Sequence, residues 1–195
     1  MTILLLAGSP STPSRSTRLL HYTGEKLASL GHRYQRLSVR DLPAEALLHA
    51  QFGNAELASA QALVAQAQAV VIATPIYKAA YSGVLKAFLD LLPQDGLKGK
   101  LVLPLATGGS QSHMLALDYA LRPVLATLGA LHVLPSIYAT DAQVRWTAET
   151  GLALDDDIAR RISEGVDTLS ASLLASPGAE PAPETTSPAP MRCSA

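Results

Sequence analysis

Three short stretches of this chain collect groups able to hold an anion or a flat ring. The first, GSPSTPSRSTR at residues 8–18, carries hydroxyls at Ser9, Ser11, Thr12, Ser14, Ser16 and Thr17 and a guanidinium at Arg15, just ahead of a helical pattern. Hydroxyls, backbone N–H groups and a helix N-terminus together make a phosphate site. A Ser/Pro-rich turn that merely caps the helix would use the same residues. Neither a Walker loop nor the glycine spacing of a Rossmann dinucleotide fingerprint occurs there. The second stretch is TPIYKAAYSG, residues 74–83. Pro75 holds Thr74 extended, and Tyr77 and Tyr81 with Ile76 offer flat apolar surface for a planar heteroaromatic ring. The alternative is two tyrosines covering a helix end, with Lys78 either near negative charge or solvated. In the third stretch, TGGSQSH at 107–113, Gly108 and Gly109 permit close backbone approach to a ligand. Thr107, Ser110 and Gln111 add donors and acceptors there, and a tight turn into the next helix is the competing reading.

The elements that must position these stretches are legible as alternating apolar runs and helical stripes. Strands are expected at Ile3–Ala7, Tyr34–Ser38, Ala69–Ala73, Leu101–Ala106 and, more weakly, His132–Tyr138. The first, third and fourth are continuously apolar, as strands covered on both faces are. Helical stripes begin with Leu19, Leu20, Leu27 and Leu30, then Leu57, Leu63 and Val64 behind Asn54 as N-cap, then Val84, Leu85, Phe88 and Leu91 ahead of Pro93. A fourth runs from about Gln111 to Leu128 and a fifth through Ile158, Ile162, Val166, Leu169 and Leu173. This alternation implies an α/β, flavodoxin-like three-layer sandwich: a five-stranded parallel sheet of order 2-1-3-4-5 with helices on both faces. Each of the three stretches then follows a strand, at the carboxyl edge where such sheets bind ligands.

Composition narrows the classes. A length of 195 residues suits one domain, expected over 1–175. The segment 176–195, rich in Pro, Ala and Ser, is expected to be a disordered tail. A net charge of −1 argues against a nucleic-acid partner, and no run approaches the ~18 apolar residues of a membrane span. The single cysteine, Cys193, provides no disulfide framework, so a reducing, cytoplasmic setting is expected. His21, His32, His49, His113 and His132 show no ligand spacing, so no metal is expected. Asp155–Asp157 reads as carboxylates complementing a helix N-terminus.

The stretches LAGSPSTPSRSTRLL, IATPIYKAAYSGVLKAFLDLLP, LKGKLVLPLATGGSQSHMLALDYALRPVL and ATDAQV together resemble the NAD(P)H-dependent FMN reductases of two-component alkanesulfonate monooxygenase systems. The resemblance covers about residues 1–170. It implies that Ser9, Ser14, Arg15 and Ser16 hold the FMN phosphate. It places Pro75, Ile76, Tyr77 and Lys78 against the isoalloxazine, with Thr107, Gly108, Gly109 and Ser110 approaching the ring. It further implies hydride transfer from NADPH or NADH, release of reduced FMN to a partner flavin-dependent monooxygenase, and a homotetramer built from dimers. Hydride transfer between two cofactors requires no protein acid or base, and no catalytic residue is assigned. The alternatives are a flavoprotein that keeps its FMN, either a quinone- or azo-type reductase or a flavodoxin-like electron carrier. An NADPH 2′-phosphate would call for arginines, but none lies in a readable motif.

One irregularity remains. Pro123 interrupts the fourth helical pattern and cannot donate to the Tyr119 carbonyl. The turn around Tyr119 is therefore expected either to widen into a π-bulge or to kink over a packed tyrosine. In the family resembled, an inserted tyrosine with a π-helix stands at this place. That resemblance puts Tyr119 at a subunit interface beside the flavin, aiding its release.

Overall fold

The computed structural model describes residues 2–149 and 151–175; the expected tail at 176–195 and Cys193 lie outside them. In chain order the elements are β1 (Thr2–Ala7), α1 (Arg15–Ser29), β2 (Arg33–Ser38), a short α2 (Ala44–Leu48) and α3 (Ala55–Gln66). There follow β3 (Ala69–Tyr77), β4 (Ala80–Tyr81), α4 (Gly83–Leu89), β5 (Leu101–Gly108) and α5 (Arg122–Thr127). β6 (His132–Val133), β7 (Ile137–Thr140), β8 (Val144–Thr147), β9 (Gly151–Leu154) and α6 (Asp156–Ala175) complete the chain.

The parallel sheet runs β2-β1-β3-β5, and its last position is shared by β6 and β7, both paired with β5. This is the expected order with the fifth strand broken. The cause is local. Val102 faces Val133 and Leu105 faces Ile137, so Leu134, Pro135 and Ser136 stand opposite only Leu103 and Pro104. Two prolines, neither able to donate to a ladder, meet where the extra residue bulges out.

Apolar side chains fill both faces. On one, Leu19, Leu20 and Leu27 of α1 and Ile158, Ile162 and Leu169 of α6 pack on Ile3, Leu5, Val71 and Leu103. On the other, Leu57 of α3, Leu85 and Phe88 of α4 and Leu125 of α5 pack on Leu4, Val70, Ile72 and Val102. The start of α3 carries its expected cap: Asn54 accepts from the N–H groups of Glu56 and Leu57 at 3.0 and 3.1 Å. Asp155 accepts from Asp157 N–H at 3.1 Å. No helix among the described residues is long and apolar enough to cross a membrane.

Three features depart from the sequence reading. The second stretch is not a plain loop, because β3 continues to Tyr77 and turns back as β4, with Tyr77 opposite Ala80. Lys78 and Ala79 form the two-residue turn at φ 49° and 67°, the left-handed pair that a tight hairpin needs and that glycine or asparagine adopts more easily. Next, residues 111–128 do not form one helix. A 3₁₀ turn (Gln111–His113) and a π-helical segment (Leu117–Leu121) precede α5. Finally, β8 and β9 form an antiparallel hairpin whose Trp146 lies under the Arg18 guanidinium, 3.8 Å from the ring centroid.

Gly8 stands where the chain leaves β1. It is required by close approach, since a Cβ built on it would sit 2.8 Å from Leu85 Cβ. Leu85 is fully buried, so Gly8→Ala would force α4 away from the sheet edge. The expected cost is about 1–3 kcal/mol, the range for overpacking a closed core, read as a lower denaturant midpoint with unchanged slope.

Candidate active site

The three stretches converge on one cavity of about 230 Å³ at the carboxyl ends of β1, β3 and β5. Its walls are Ser9, Ser11, Pro13, Ser14 and Arg15, then Pro75, Ile76 and Tyr77, then Thr107, Gly108 and Gly109, closed by Asp141. The parallel register accounts for the meeting. Ala7 pairs with Ala73, and Pro75 with Thr107, so the chain leaves the sheet at adjacent places each time.

The first stretch is held by its own hydroxyls. Ser9, 2% exposed, accepts from Ser11 N–H at 3.2 Å. Ser14 caps α1 by accepting from Thr17 N–H at 3.3 Å. Among the described residues the N–H groups of Arg15 and Ser16 carry no hydrogen bond, so the first turn of α1 keeps donors for an anion at its positive end. Arg15 reaches 3.6 Å from Asp141 with both side chains about half exposed, and Asp141 N–H is tied to Gly108 C=O at 2.9 Å.

Two buried hydroxyls join the walls. Ser82 Oγ donates to the Gly8 carbonyl and accepts from Leu85 N–H at 3.3 Å, so one side chain fixes the first stretch to the start of α4. Thr74 Oγ1 accepts from Ser82 N–H at 3.0 Å and donates to Pro75 C=O at 2.9 Å, which draws in the second. At the third, Tyr138 donates to Ser110 C=O at 2.5 Å, and its hydroxyl oxygen would lie 2.5 Å from a Cβ on Gly108. Burial raises the Tyr138 pKa above the usual phenol value, so the group stays a donor at neutral pH. Gly109 differs: nothing lies within 4 Å of a Cβ built there, which leaves its backbone open on the cavity wall.

Some of the expected site residues do not line the cavity. Ser16 is 1% exposed, and its hydroxyl is 3.0 Å from Ser14 Oγ. Lys78 stands at the exposed hairpin tip, and Ser110 turns its hydroxyl onto Ser112 N–H at 3.2 Å. Tyr119 lies apart from these walls, 79% exposed on the π-helical segment. Sequence reasoning missed Pro13 and Asp141 as lining residues. Asp141 had one signal, its place in ATDAQV.

The model of the family described as NADPH-dependent FMN reductase matches residues 1–144. This chain belongs to that family. It is 44% identical to an FMN reductase (NADPH) of Pseudomonas putida over 178 residues, 91% of this chain and 90% of the relative. It is 49% identical over 144 residues to the FMN reductase (NADPH) of Escherichia coli K12, covering 74% and 75% of the two chains. Among solved structures it superposes on an apo form of the NADH:FMN oxidoreductase EmoB with a TM-score of 0.79 and 40% identity, covering 88% of this chain and 89% of that one.

Because Ser82 joins the walls without lining the cavity, Ser82→Ala separates support from contact. It leaves the Gly8 carbonyl and Leu85 N–H unpaired, a loss of about 1–3 kcal/mol. A lower melting temperature is expected together with weaker flavin binding, measured by flavin fluorescence quenching. Unchanged binding would show that the walls are held without it.

Proposed function

We propose that this member of the family is an NAD(P)H-dependent FMN reductase that binds FMN in the cavity between the three stretches. In this reading it releases the reduced flavin to a partner flavin-dependent monooxygenase of the alkanesulfonate type. The observation that carries the reading is the convergence of a helix start with unpaired N–H donors and an apolar, glycine-edged wall in one cavity. The free N–H groups of Arg15 and Ser16, the Ser9 and Ser14 hydroxyls and the Arg15 guanidinium suit a phosphate monoester. Pro75, Ile76 and Tyr77 suit one edge of the ring, and Thr107, Gly108 and Gly109 let the backbone approach another. Ser16 would act through its backbone N–H, since its side chain is spent on Ser14.

The flavin, when bound, supplies the hydride-accepting chemistry itself. The chain orients it, and open backbone donors near Gly109 favour negative charge building on the ring.

Two features support release over retention. Asp141 competes with any bound phosphate for Arg15. The π-helical segment, closed by the Arg122 N–H to Leu117 carbonyl bond, exposes Tyr119, and Met114 and Leu115 just ahead of it are exposed as well. Such a patch suits contact between copies of the chain, as a homotetramer requires. An electron carrier would need a strongly charged docking face, and the net charge of −1 does not suit one.

Steady-state NADPH oxidation with excess free FMN tests the reading. Turnover that rises and saturates with added FMN is expected, whereas a flavin-keeping reductase would need another acceptor and a carrier would not turn over. Deleting Tyr119 should restore an unbroken α-helical register and yield a protein that purifies with FMN bound. A deletion variant that still exchanges FMN freely would refute the release role.

A further inference from the structure

A second cavity, larger than the one between the three stretches, lies beside it. It has a volume of about 620 Å³ and lies on the other side of the first stretch, between α1 and the end of β2. The two cavities share Ser11, Pro13 and Ser14 as a common wall. Leu5, Leu20 and Leu37 give the larger one an apolar floor, and Arg18, Arg36 and Arg40 gather around it.

That gathering of cations is poorly compensated. Asp41 is the one carboxylate in the lining. Arg40 makes no hydrogen bond or ion pair among the described residues. Arg36 donates only to Tyr34 Oη, at 3.0 Å, and Arg18 lies 3.8 Å from the Trp146 ring centroid and makes no ion pair among the described residues. The field reaches His21 on the same wall, whose pKa is lowered by burial and then by Arg36. Like charges held around an apolar floor repel each other unless an anion sits among them, and guanidinium groups match phosphate oxygens in pairs. Floor and rim together describe a site for a flat base carrying a phosphate, within the usual size of nucleotide pockets.

We propose that this cavity takes the adenosine 2′-phosphate end of NADPH, with Arg36 and Arg40 as the residues that distinguish NADPH from NADH. The inference rests on the reductase reading above. It adds a second subsite across the first stretch from the flavin cavity, so that one dinucleotide straddles the shared wall. Arg18 positions the β8–β9 hairpin beside the subsite through Trp146.

Arg36→Ala, Arg40→Ala and the double variant test this, with Arg18 left intact. The double variant should raise KM for NADPH roughly tenfold or more, the scale of lost charge-assisted contacts. KM for NADH and for FMN should change by less than about twofold on the same scale. Binding is read independently of turnover by 2′,5′-ADP, using the fluorescence of Trp146, the chain's single tryptophan. The wild type should respond to 2′,5′-ADP at concentrations where 5′-AMP has little effect, and the double variant should lose the difference. Equal changes for NADPH and NADH, or none, would overturn the proposal. A rise in KM for FMN alone would also overturn it, by assigning the arginines to a flavin phosphate. Absence of NADPH oxidation in the wild type, with 2′,5′-ADP still bound selectively, would instead remove the reductase reading and leave the subsite standing.

Discussion

The arrangement depends on one buried hydroxyl. Ser82 has no access to solvent worth the name, yet it satisfies two main-chain groups that belong to different parts of the sequence, the carbonyl of Gly8 and the N–H of Leu85. A buried polar group without a partner is costly, so the two segments hold one relative position. Gly8 makes this possible by lacking a Cβ where Leu85 presses closest. Thr74 then takes the Ser82 N–H and passes the constraint to Pro75. Two walls of the candidate site are thus fixed by side chains that do not line it.

The remaining wall is fixed differently. Tyr138 comes from the strand added last, and its hydroxyl bonds the Ser110 carbonyl across Gly108. Arg161 of α6 donates to the carbonyls of Tyr138 and Ser136 at 3.2 and 3.3 Å, and Arg122 reaches the carbonyls of Val133 and Leu134. Both arginines therefore serve the broken strand, whose main-chain acceptors lose ladder partners around Pro135. Arg122 is also paired with Asp118 at 3.3 Å, so the π-helical turn and the broken strand are coupled. Ser136 Oγ also donates to Asp118 at 3.2 Å, so an irregularity in a helix and one in a sheet are joined by several polar contacts.

Rigid support coexists with exposed and strained features. The Arg15–Asp141 pair is half exposed and contributes little to stability, but it sets a carboxylate beside the place where an anion would bind. Lys78 and Ala79 occupy left-handed conformations that cost about 1 kcal/mol or more each for residues with a Cβ. Strain of this kind persists only where the surrounding structure over-determines it, and here the paired strands β3 and β4 do so.

Local pattern alone indicated the α/β class and the cap at Asn54, and it pointed to the strand order apart from the break in the last strand; at Tyr119 it left a widened turn and a kink open, and the structure has the π-helical segment. Each indication follows from short-range rules: period, N-cap chemistry, the handedness of crossovers, and the missing N–H of Pro123. The three chemically rich stretches were also legible, because hydroxyls and glycines at strand ends have few other uses together. Tertiary structure decided which of their atoms face the cavity. Ser16 and Ser14 are two residues apart and chemically alike, yet one hydroxyl is buried against the other while its neighbour lines the cavity. Asp141 joins the site because β7 lies beside β5, and Arg18, Arg36 and Arg40 meet because α1 lies against β2. Such meetings join residues far apart along the chain, and no spacing rule reaches across a sheet.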